Sequence, residues 1–247
     1  MALKQHPAGN YQFLPTTTSA PFSGGVVANT GYEIIHASLQ AALPCEQGFA
    51  MVQRHLQSLG RPRAALCAVE LRCPTPYTPD GFGAFNKGYR ALLQGWGIFV
   101  DGYSPTARTN VAPAIAAPAE PVLHAFSYTI PNADASATAT FVVSGAGEQP
   151  SVRAGETSPD ALREKTADVM AAMQTRLANL GVGWQDVTAV DVYTVHPLIP
   201  LLEQGILAPI GPAAGHGIHW YYSRPPVQGL EIEIDVRGVR QELRLRG

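Results

Sequence analysis

One arginine and one run of alternating acids have the residue types and spacing for chemistry. Arg108 lies after a turn, at the head of the apolar run PTARTNVAP, and Glu231, Glu233 and Asp235 alternate with apolar residues in LEIEIDV. An arginine at the mouth of a sheet presents a planar fork to a carboxylate. A carboxylate desolvated beside that guanidinium can hold a water molecule for attack. The alternatives are an arginine that caps a surface turn and a solvated acidic strand face.

Two further patterns are weaker. Ser144 and Gly145 begin SGAGE after a strand-like segment, but a third glycine is missing and about ten residues precede the next helix, which argues against a dinucleotide loop. A tight turn, or backbone N–H groups offered to an anion, are the alternatives. His216 and His219 are three apart at the start of an expected strand, where they would point to opposite faces, so they predict no metal pair.

Composition limits the classes of protein. The 247 residues suffice for one large domain or two of about 120 residues. The formal net charge of −2 gives no electrostatic footprint for nucleic acid, and no apolar run approaches the roughly 18 residues that span a bilayer. The N-terminus has no signal-peptide core, and Cys45, Cys67 and Cys73 form no CxxC pair. We therefore expect a cytoplasmic protein with reduced thiols and no nucleic-acid or membrane partner.

Hydrophobic periodicity predicts alternating strands and helices in both halves. The first half reads as a strand over 32–38, a helix ended by Gly60, a strand over 63–73, a helical stripe over 82–96 interpreted as core, and a strand over 122–130. The second half reads as a strand over 138–144, a helix over 158–180, a strand over 186–195, a Pro-interrupted helix over 197–207 and a β-hairpin over 216–239. Ser158, Pro159 and Gly181 are typical signals for the start and end of the long helix.

The two halves share a register. Five residues of the first half recur 121 positions later: Leu56, Leu59, Gly60, Ala68 and Val69 match Leu177, Leu180, Gly181, Ala189 and Val190. Further on the offset shortens, which sets Arg108 opposite His216 or Gly217, and His124 opposite Glu233. We interpret this as a duplicated β–α–β–α–β–β unit with both helices on one face of a mixed sheet, and hence an α+β fold. Chance matching of common apolar residues is the alternative.

These segments resemble the RidA (YjgF-like) family of enamine/imine deaminases, present twice in tandem. The similarity rests on FNKGYRALL and PTARTNVAP, then on FVVSGAGE, LANLGVGWQDV, TAVDVYTV and RPPVQGLEIEIDVRGV, and it covers roughly residues 30–240. The whole arrangement also resembles two-domain deaminases of 2-amino-5-chloromuconate. The resemblance implies two chorismate-mutase-like domains, residues 1–130 and 131–247, in a homo-oligomer that is most simply a trimer, with ligand sites in clefts between subunits.

The resemblance also implies roles for individual residues. Arg108 would grip the substrate carboxylate, Glu233 on the last strand would orient a water molecule, and Ser144 and Gly145 would offer backbone groups to the substrate.

Each half lacks part of this set. The second half has His216 rather than an arginine, and the first has His124 where the second has Glu233. We therefore expect one working cleft that draws on both halves, with His216 as an alternative catalytic base and His124 as a further substrate-binding residue.

The implied function is a cofactor-free hydrolytic deaminase of an unsaturated amino acid such as 2-aminomuconate or a chlorinated relative, releasing ammonia. One alternative is a general 2-imino acid deaminase. Another is a ligand-binding or chaperone-like module that kept the clefts and lost catalysis. RNA cleavage is disfavoured by the near-neutral charge.

Overall fold

Two mixed sheets and three long helices make up the part of the chain that the computed structural model describes, residues 2–134 and 138–246. The helices are α1 (Cys45–Ser58), α2 (Pro79–Gly95) and α3 (Pro159–Leu180). The strands of the first half are β1 (Lys4–His6), β2 (Tyr11–Phe13), β3 (Gly25–Ala28), β4 (Tyr32–Pro44), β5 (Leu66–Arg72), β6 (Ala107–Pro113) and β7 (Val122–Pro131). Those of the second are β8 (Phe141–Gly147), β9 (Ala189–Tyr193), β10 (His219–Tyr221), β11 (Ser223–Arg224), β12 (Glu233–Gly238) and β13 (Glu242–Leu245).

Each sheet takes strands from both halves of the chain. The seven-stranded sheet has the order β1-β2-β3-β8-β12-β9-β10, and the six-stranded sheet has the order β11-β6-β5-β7-β4-β13. The N-terminal strands therefore extend the sheet of the second half, while β11 and β13 extend the sheet of the first. A division of the chain into domains 1–130 and 131–247 stays a prediction, since strands cross that boundary in both directions.

The central four strands of the two sheets have one topology. The order β6-β5-β7-β4 in the first half corresponds to β10-β9-β12-β8 in the second. In each set the first pair is parallel and the other two pairs are antiparallel. The predicted α+β class with mixed sheets is confirmed, and the shared order is what a duplication requires. Assignment of each half to the chorismate-mutase-like fold stays a prediction.

Helices cover one face of each sheet, and the other faces turn toward each other. α3 packs on the seven-stranded sheet through a cluster that includes Val169, Met173 and Leu177, and α1 and α2 pack on the six-stranded sheet around Phe49 and Leu93. An apolar cluster that includes Tyr11, Phe13 and Ile34 joins strands of both sheets, and buried polar residues meet beside it, where Thr109 Oγ1 donates to Asp235 Oδ2 at 2.6 Å. The candidate site lies next to these polar residues, where β6 meets β8 and β12.

The long helix α3 follows from local signals. Ser158 is the N-cap, and its Oγ accepts a hydrogen bond from the Ala161 N–H at 3.3 Å. Pro159 occupies the first turn, and Gly181 ends the helix with φ of 78°, a left-handed conformation that favours glycine. In the first half α1 ends at Ser58, one residue before the predicted end, so Leu59 is 46 % exposed whereas its counterpart Leu180 is buried.

The predicted β-hairpin over 216–239 is wrong. β10 and β12 lie on opposite sides of β9 and do not pair with each other, and β11 pairs with β6 of the other sheet. The hydrogen-bonding partners thus come from distant segments, which local periodicity does not reveal. The predicted helix over 197–207 is a longer series of short helical turns, Ile199–Leu201, Leu202–Leu207, Ala208–Ile210 and Gly211–His216.

Strand register corrects the expected match to Arg108. Val69 pairs with Arg108 in the first half, and the corresponding position of the second half, one residue before His219, is Ile218. The expected counterpart, His216, lies before the strand begins. The offset shifts because the connections between strands differ in length in the two halves.

The expected match between His124 and Glu233 is also corrected. Glu233 pairs with Tyr193, and in the first half Arg72 pairs with Val122. Val122 is therefore the counterpart of Glu233, and His124 lies at an irregularity of the β5–β7 register.

No helix within the described ranges has both the length and the apolar character needed to cross a bilayer.

Candidate functional site

Arg108 lies on β6 and is buried, with 3 % of its surface exposed, and its side chain faces α2. Its guanidinium lies over four aromatic rings, 4.5 Å from the ring centre of Phe22, 4.8 Å from Tyr89, 5.5 Å from Phe82 and 5.6 Å from Phe85. The helical stripe on α2 was interpreted as core, and part of it instead forms the wall against this arginine. Burial lowers the pKa of Arg108 to about 10, so the side chain stays cationic at neutral pH.

Glu233 begins β12 and is buried to 4 % exposure, so a solvated acidic face is excluded for this residue. Its carboxylate lies against the backbone of Gly145, where an added Cβ would approach Glu233 Oε1 to 2.2 Å. Burial raises the pKa of Glu233 to about 8, against the opposing charges of Arg108 and Arg176. A carboxyl group with this pKa can both take up and release a proton near neutral pH.

Ser144 and Gly145 join the sheets at this point. Ser144 Oγ accepts from the Arg108 N–H at 3.0 Å, and the Gly145 N–H donates to Thr109 Oγ1 at 3.2 Å. Both of their carbonyl oxygens accept from Arg176 Nη1, at 2.7 and 3.3 Å. These contacts indicate that the pair positions Arg108 and Glu233. A direct contact of the pair with substrate stays a prediction.

A cavity of about 130 Å³ brings the predicted residues together. Arg108, Asn110 and Glu233 supply its polar wall, Gly145 allows the close approach of the carboxylate, and Phe22 is among the apolar residues opposite. Arg108 Nη1 and both amide atoms of Asn110 are buried and have no hydrogen-bond partner within residues 2–134 and 138–246. Asn110 was not predicted, because a single asparagine two residues after an arginine carries no motif.

The two predicted histidines lie outside this cavity. His216 is exposed at the end of the turn Gly211–His216, and His124 is half-buried on β7. Burial and the charge of Arg72 lower the pKa of His124 to about 4, so it is neutral at physiological pH. Neither residue lines the space that Arg108 and Glu233 share. Their catalytic and binding roles stay predictions.

A second set of charged side chains lies between the sheets, here called the Asp191 cluster: His36, Glu70, Arg72, Asp191 and Arg237. Arg237 Nη1 donates to Asp191 Oδ2 at 2.6 Å, and Arg72 Nη2 donates to Glu70 Oε2 at 3.2 Å. His36 Nε2 lies 3.6 Å from Glu70 Oε1. Each arginine of this cluster thus has a carboxylate partner within the chain.

A buried ion pair fixes the segment just before Glu233. Lys165 Nζ on α3 donates to Glu148 Oε1 at 3.0 Å, and both side chains are 1 % exposed. The Glu148 carboxylate also accepts from the N–H groups of Glu231, at 2.8 Å, and Ile232, at 3.2 Å. Glu148 therefore connects the helix to the start of β12 and holds Glu233 in place.

The three cysteines are free, with Cys67 and Cys73 buried and Cys45 half-buried. No cluster of three or more His, Cys, Asp or Glu side chains with metal-site geometry occurs in the described ranges. Around one small cavity the site offers a buried carboxyl group, together with a guanidinium nitrogen and an amide that have no partner in the described chain.

Comparisons of the sequence with known proteins identify its family. Residues 3–243 match the sequence profile of the family described as 2-aminomuconate deaminase CnbZ. The 2-amino-5-chloromuconate deaminase of Comamonas testosteroni is 39% identical over 243 residues, which are 95% of this chain and 95% of that protein. The chain belongs to the 2-aminomuconate deaminase family. The prediction of a deaminase of this type is confirmed at that level, and neither alternative is favoured.

Similarities to solved structures are weaker. A chorismatase crystal structure gives a TM-score of 0.46 at 14% identity, covering 87% of this chain and 77% of that one. Rv2704, a YjgF/YER057c/UK114 family member from Mycobacterium tuberculosis, gives 0.30 at 16% identity, covering 40% of this chain and 78% of that one.

Proposed function

We propose that the chain is a hydrolase that removes the amino group of 2-aminomuconate or its 5-chloro relative in the cavity lined by Arg108, Asn110 and Glu233. The observation that carries this proposal is the pairing, in one cavity, of a buried guanidinium whose Nη1 has no partner in the described chain with a carboxyl group whose pKa is about 8. A guanidinium suits a planar carboxylate, and a near-neutral carboxyl group suits proton transfer.

Arg108 binds the carboxylate next to the nitrogen-bearing carbon. The aromatic rings of Phe22 and Tyr89 hold the guanidinium plane, so the fork is already oriented before substrate arrives. Binding in this way sets the imine carbon toward Glu233, which converts a collision with water into an oriented attack.

Hydrolysis needs only water and one proton carrier. The enamine first tautomerises to the 2-imine, the form that water attacks. Glu233, as carboxylate, takes a proton from water while the oxygen bonds to the imine carbon and the C=N π electrons move to nitrogen. The protonated Glu233 then gives its proton to the nitrogen, which completes a neutral carbinolamine. Glu233 next takes the hydroxyl proton and passes it to the nitrogen. The C=O bond forms as the C–N bond breaks, ammonia leaves, and a 2-oxo acid remains. Neither a metal nor an organic cofactor is required by these steps.

Ammonia release from freshly prepared substrates tests the proposal. We expect turnover of 2-aminomuconate or 2-amino-5-chloromuconate, and a kcat/KM at least about tenfold lower for a small 2-imino acid generated in situ, because its shorter chain leaves part of the apolar wall unfilled. Equal turnover of the small imino acid would favour the general deaminase. No ammonia from any of these compounds would favour the non-catalytic module and contradict the proposal.

We further infer that each half is a RidA-like unit, which the shared strand order supports. A homotrimer in the cytoplasm rests on the resemblance and the composition alone. The two sheets already cover each other within one chain, so burial of a sheet face does not require a partner subunit. Sedimentation at micromolar concentration tests the oligomer, and a monomeric mass would contradict it.

A further inference from the structure

Asn110 is the polar residue of the cavity whose role the proposed function does not use. It follows Arg108 by two positions on β6, so the two side chains lie on the same face of the strand. Only 2 % of Asn110 is exposed, and neither Nδ2 nor Oδ1 has a hydrogen-bond partner in the described part of the chain. Native proteins pair the great majority of their buried polar atoms, so an amide with both ends unpaired beside a cavity indicates a ligand.

Asn110 Oδ1 is a neutral side-chain acceptor in the cavity that has no partner in the described ranges. Arg108 offers donors only, and Glu233 is committed to the attacking water in the proposed reaction. Asn110 offers one acceptor and two donors side by side. A substrate with an N–H on the carbon next to its carboxylate presents the complementary pair, an N–H donor beside a carboxylate oxygen.

We propose that Asn110 is a substrate-binding residue that recognises the nitrogen to be removed. Its Oδ1 accepts from the amine or imine N–H, and its Nδ2 donates to the neighbouring carboxylate oxygen that Arg108 also binds. This inference rests on the proposed function and deepens it. It assigns to the site a preference for 2-amino and 2-imino acids over the corresponding 2-oxo acids.

The same contact helps product leave. After hydrolysis a carbonyl oxygen replaces the N–H, and an oxygen without a hydrogen cannot donate to Oδ1. The amide then faces a like acceptor, so the 2-oxo product loses a hydrogen bond that the substrate made. Sites built to bind a polar hydrogen reject analogues that lack it, because the buried partner is left unpaired.

The test compares Asn110→Leu with the wild-type protein in two measurements, turnover of 2-aminomuconate and binding of muconate, a dicarboxylate without the amino group. We expect a loss of about 30-fold or more in kcat/KM for Asn110→Leu, while muconate affinity measured by calorimetry falls by less than about tenfold, because muconate loses the Nδ2 hydrogen bond to its carboxylate but keeps Arg108 and makes no contact to Oδ1. Asn29→Leu is the matched control, since Asn29 Oδ1 is also buried without a partner in the described chain but lines a different cavity. It should leave both quantities unchanged.

Two results would overturn the inference. Wild-type kcat/KM in Asn110→Leu would show that the amide contacts nothing that matters, and equal losses in turnover and in muconate binding would show collapse of the cavity. If Asn110→Leu fails to fold, Asn110→Ser carries the same comparison with a smaller expected loss of about fivefold. Wild-type protein that releases no ammonia would overturn the proposed function and this inference together. An active wild type with an equally active variant would overturn only the inference.

Discussion

The Arg108 cavity and the Asp191 cluster both hold buried charged side chains, and they differ in how those charges are paired. Arg237 donates to Asp191 at 2.6 Å and to Glu242 at 2.7 Å. No carboxylate oxygen in the described ranges lies within 4.0 Å of a guanidinium nitrogen of Arg108, the distance that defines an ion pair. Arg108 Nη1 also has no hydrogen-bond partner there. A cluster whose charged groups all have partners stabilises the fold, whereas a buried charged group without a partner is satisfied when a ligand binds.

Strand register explains why the two regions diverge. The positions of Arg108 and Glu233 correspond to Ile218 and Val122 in the other half. The shared four-strand arrangement therefore has the arginine in one half and the glutamate in the other. Both residues face one cavity where β6 of the first half meets β8 and β12 of the second. We propose that this cleft is specialised for binding and the Asp191 cluster for structure.

The largest expected effect is the loss of Arg108. Arg108→Ala should lower kcat/KM by about 10³-fold, because a charge-assisted pair contributes roughly 1.5–3 kcal/mol and a misplaced imine loses further rate. Arg108→Lys should restore part of the activity, since an ammonium cannot reproduce the planar fork. Steady-state ammonia release measures both variants. If Arg108→Ala kept more than half of the wild-type kcat/KM, Arg108 would not be a substrate-binding residue.

Glu233→Gln should lower kcat by about 10²-fold or more, because a glutamine cannot carry the proton. The pH profile sharpens this expectation. In wild-type protein kcat/KM should rise with pH and level off near the Glu233 pKa of about 8, since the carboxylate is the active form. The rising limb should be absent in Glu233→Gln. A variant that keeps the wild-type limb would assign the base to another residue.

Glu233→Gln should also change how the thermal stability of the protein depends on pH. Glu233 has a pKa of about 8 when folded and about 4.3 when unfolded, so its neutral form stabilises the fold fully below pH 4. That contribution is lost as the pH rises through 8. Glu233→Gln should therefore gain thermal stability relative to wild type on going from pH 5 to pH 9. Parallel melting curves at both pH values would contradict the burial of this carboxyl group.

The Asp191 cluster should respond in stability. Arg237→Ala leaves the buried Asp191 with His219, whose Nδ1 lies 2.7 Å from it, as its remaining ion-pair partner in the described ranges, and should cost about 3 kcal/mol in the free energy of unfolding. Chemical denaturation measures the loss. The fraction that stays folded should keep near wild-type kcat, whereas a lost kcat at full folding would place catalysis in this cluster.

A smaller effect is expected at the ion pair behind β12. Glu148→Gln should lower kcat by about tenfold with KM changed less than about twofold, because Glu233 shifts while Arg108 still binds the carboxylate. Glu164→Gln, which changes an exposed glutamate next to Lys165 on α3, is the matched control and should have no effect. The limb near pH 8 should persist in Glu148→Gln with a moved midpoint. Loss of stability alone, at unchanged kcat, would make Glu148 purely structural.

Features that depend on nearby residues, such as helix ends, were predicted better than features that depend on the pairing of distant strands. The helix α3 follows from Ser158, Pro159 and Gly181, which act within a few residues of the ends they define. The assignment of β1–β3 and β11 to sheets was not predictable, because β3 pairs with β8 and β11 pairs with β6, and both partners are far away in sequence. Arg108 and Glu233 were predicted from residue type and resemblance, and the structure brings them to one cavity.

The aromatic wall and the amide were missed for a physical reason. Phe82, Phe85 and Tyr89 form an apolar stripe on α2 that looks the same whether it faces a core or a cationic side chain. In a sequence, an asparagine such as Asn110 is typical of a turn or a strand end. The lack of hydrogen-bond partners for its amide within the described chain is visible only in three dimensions.

Binding stoichiometry tests the central claim most directly, that one cleft of the chain binds substrate and the Asp191 cluster does not. Calorimetric titration with muconate, which carries the carboxylates and no reacting nitrogen, should give one site per chain in the wild-type protein. That binding should vanish in Arg108→Ala and persist in folded Arg237→Ala. Two sites per chain, or binding that survives Arg108→Ala and is lost in Arg237→Ala, would contradict the account.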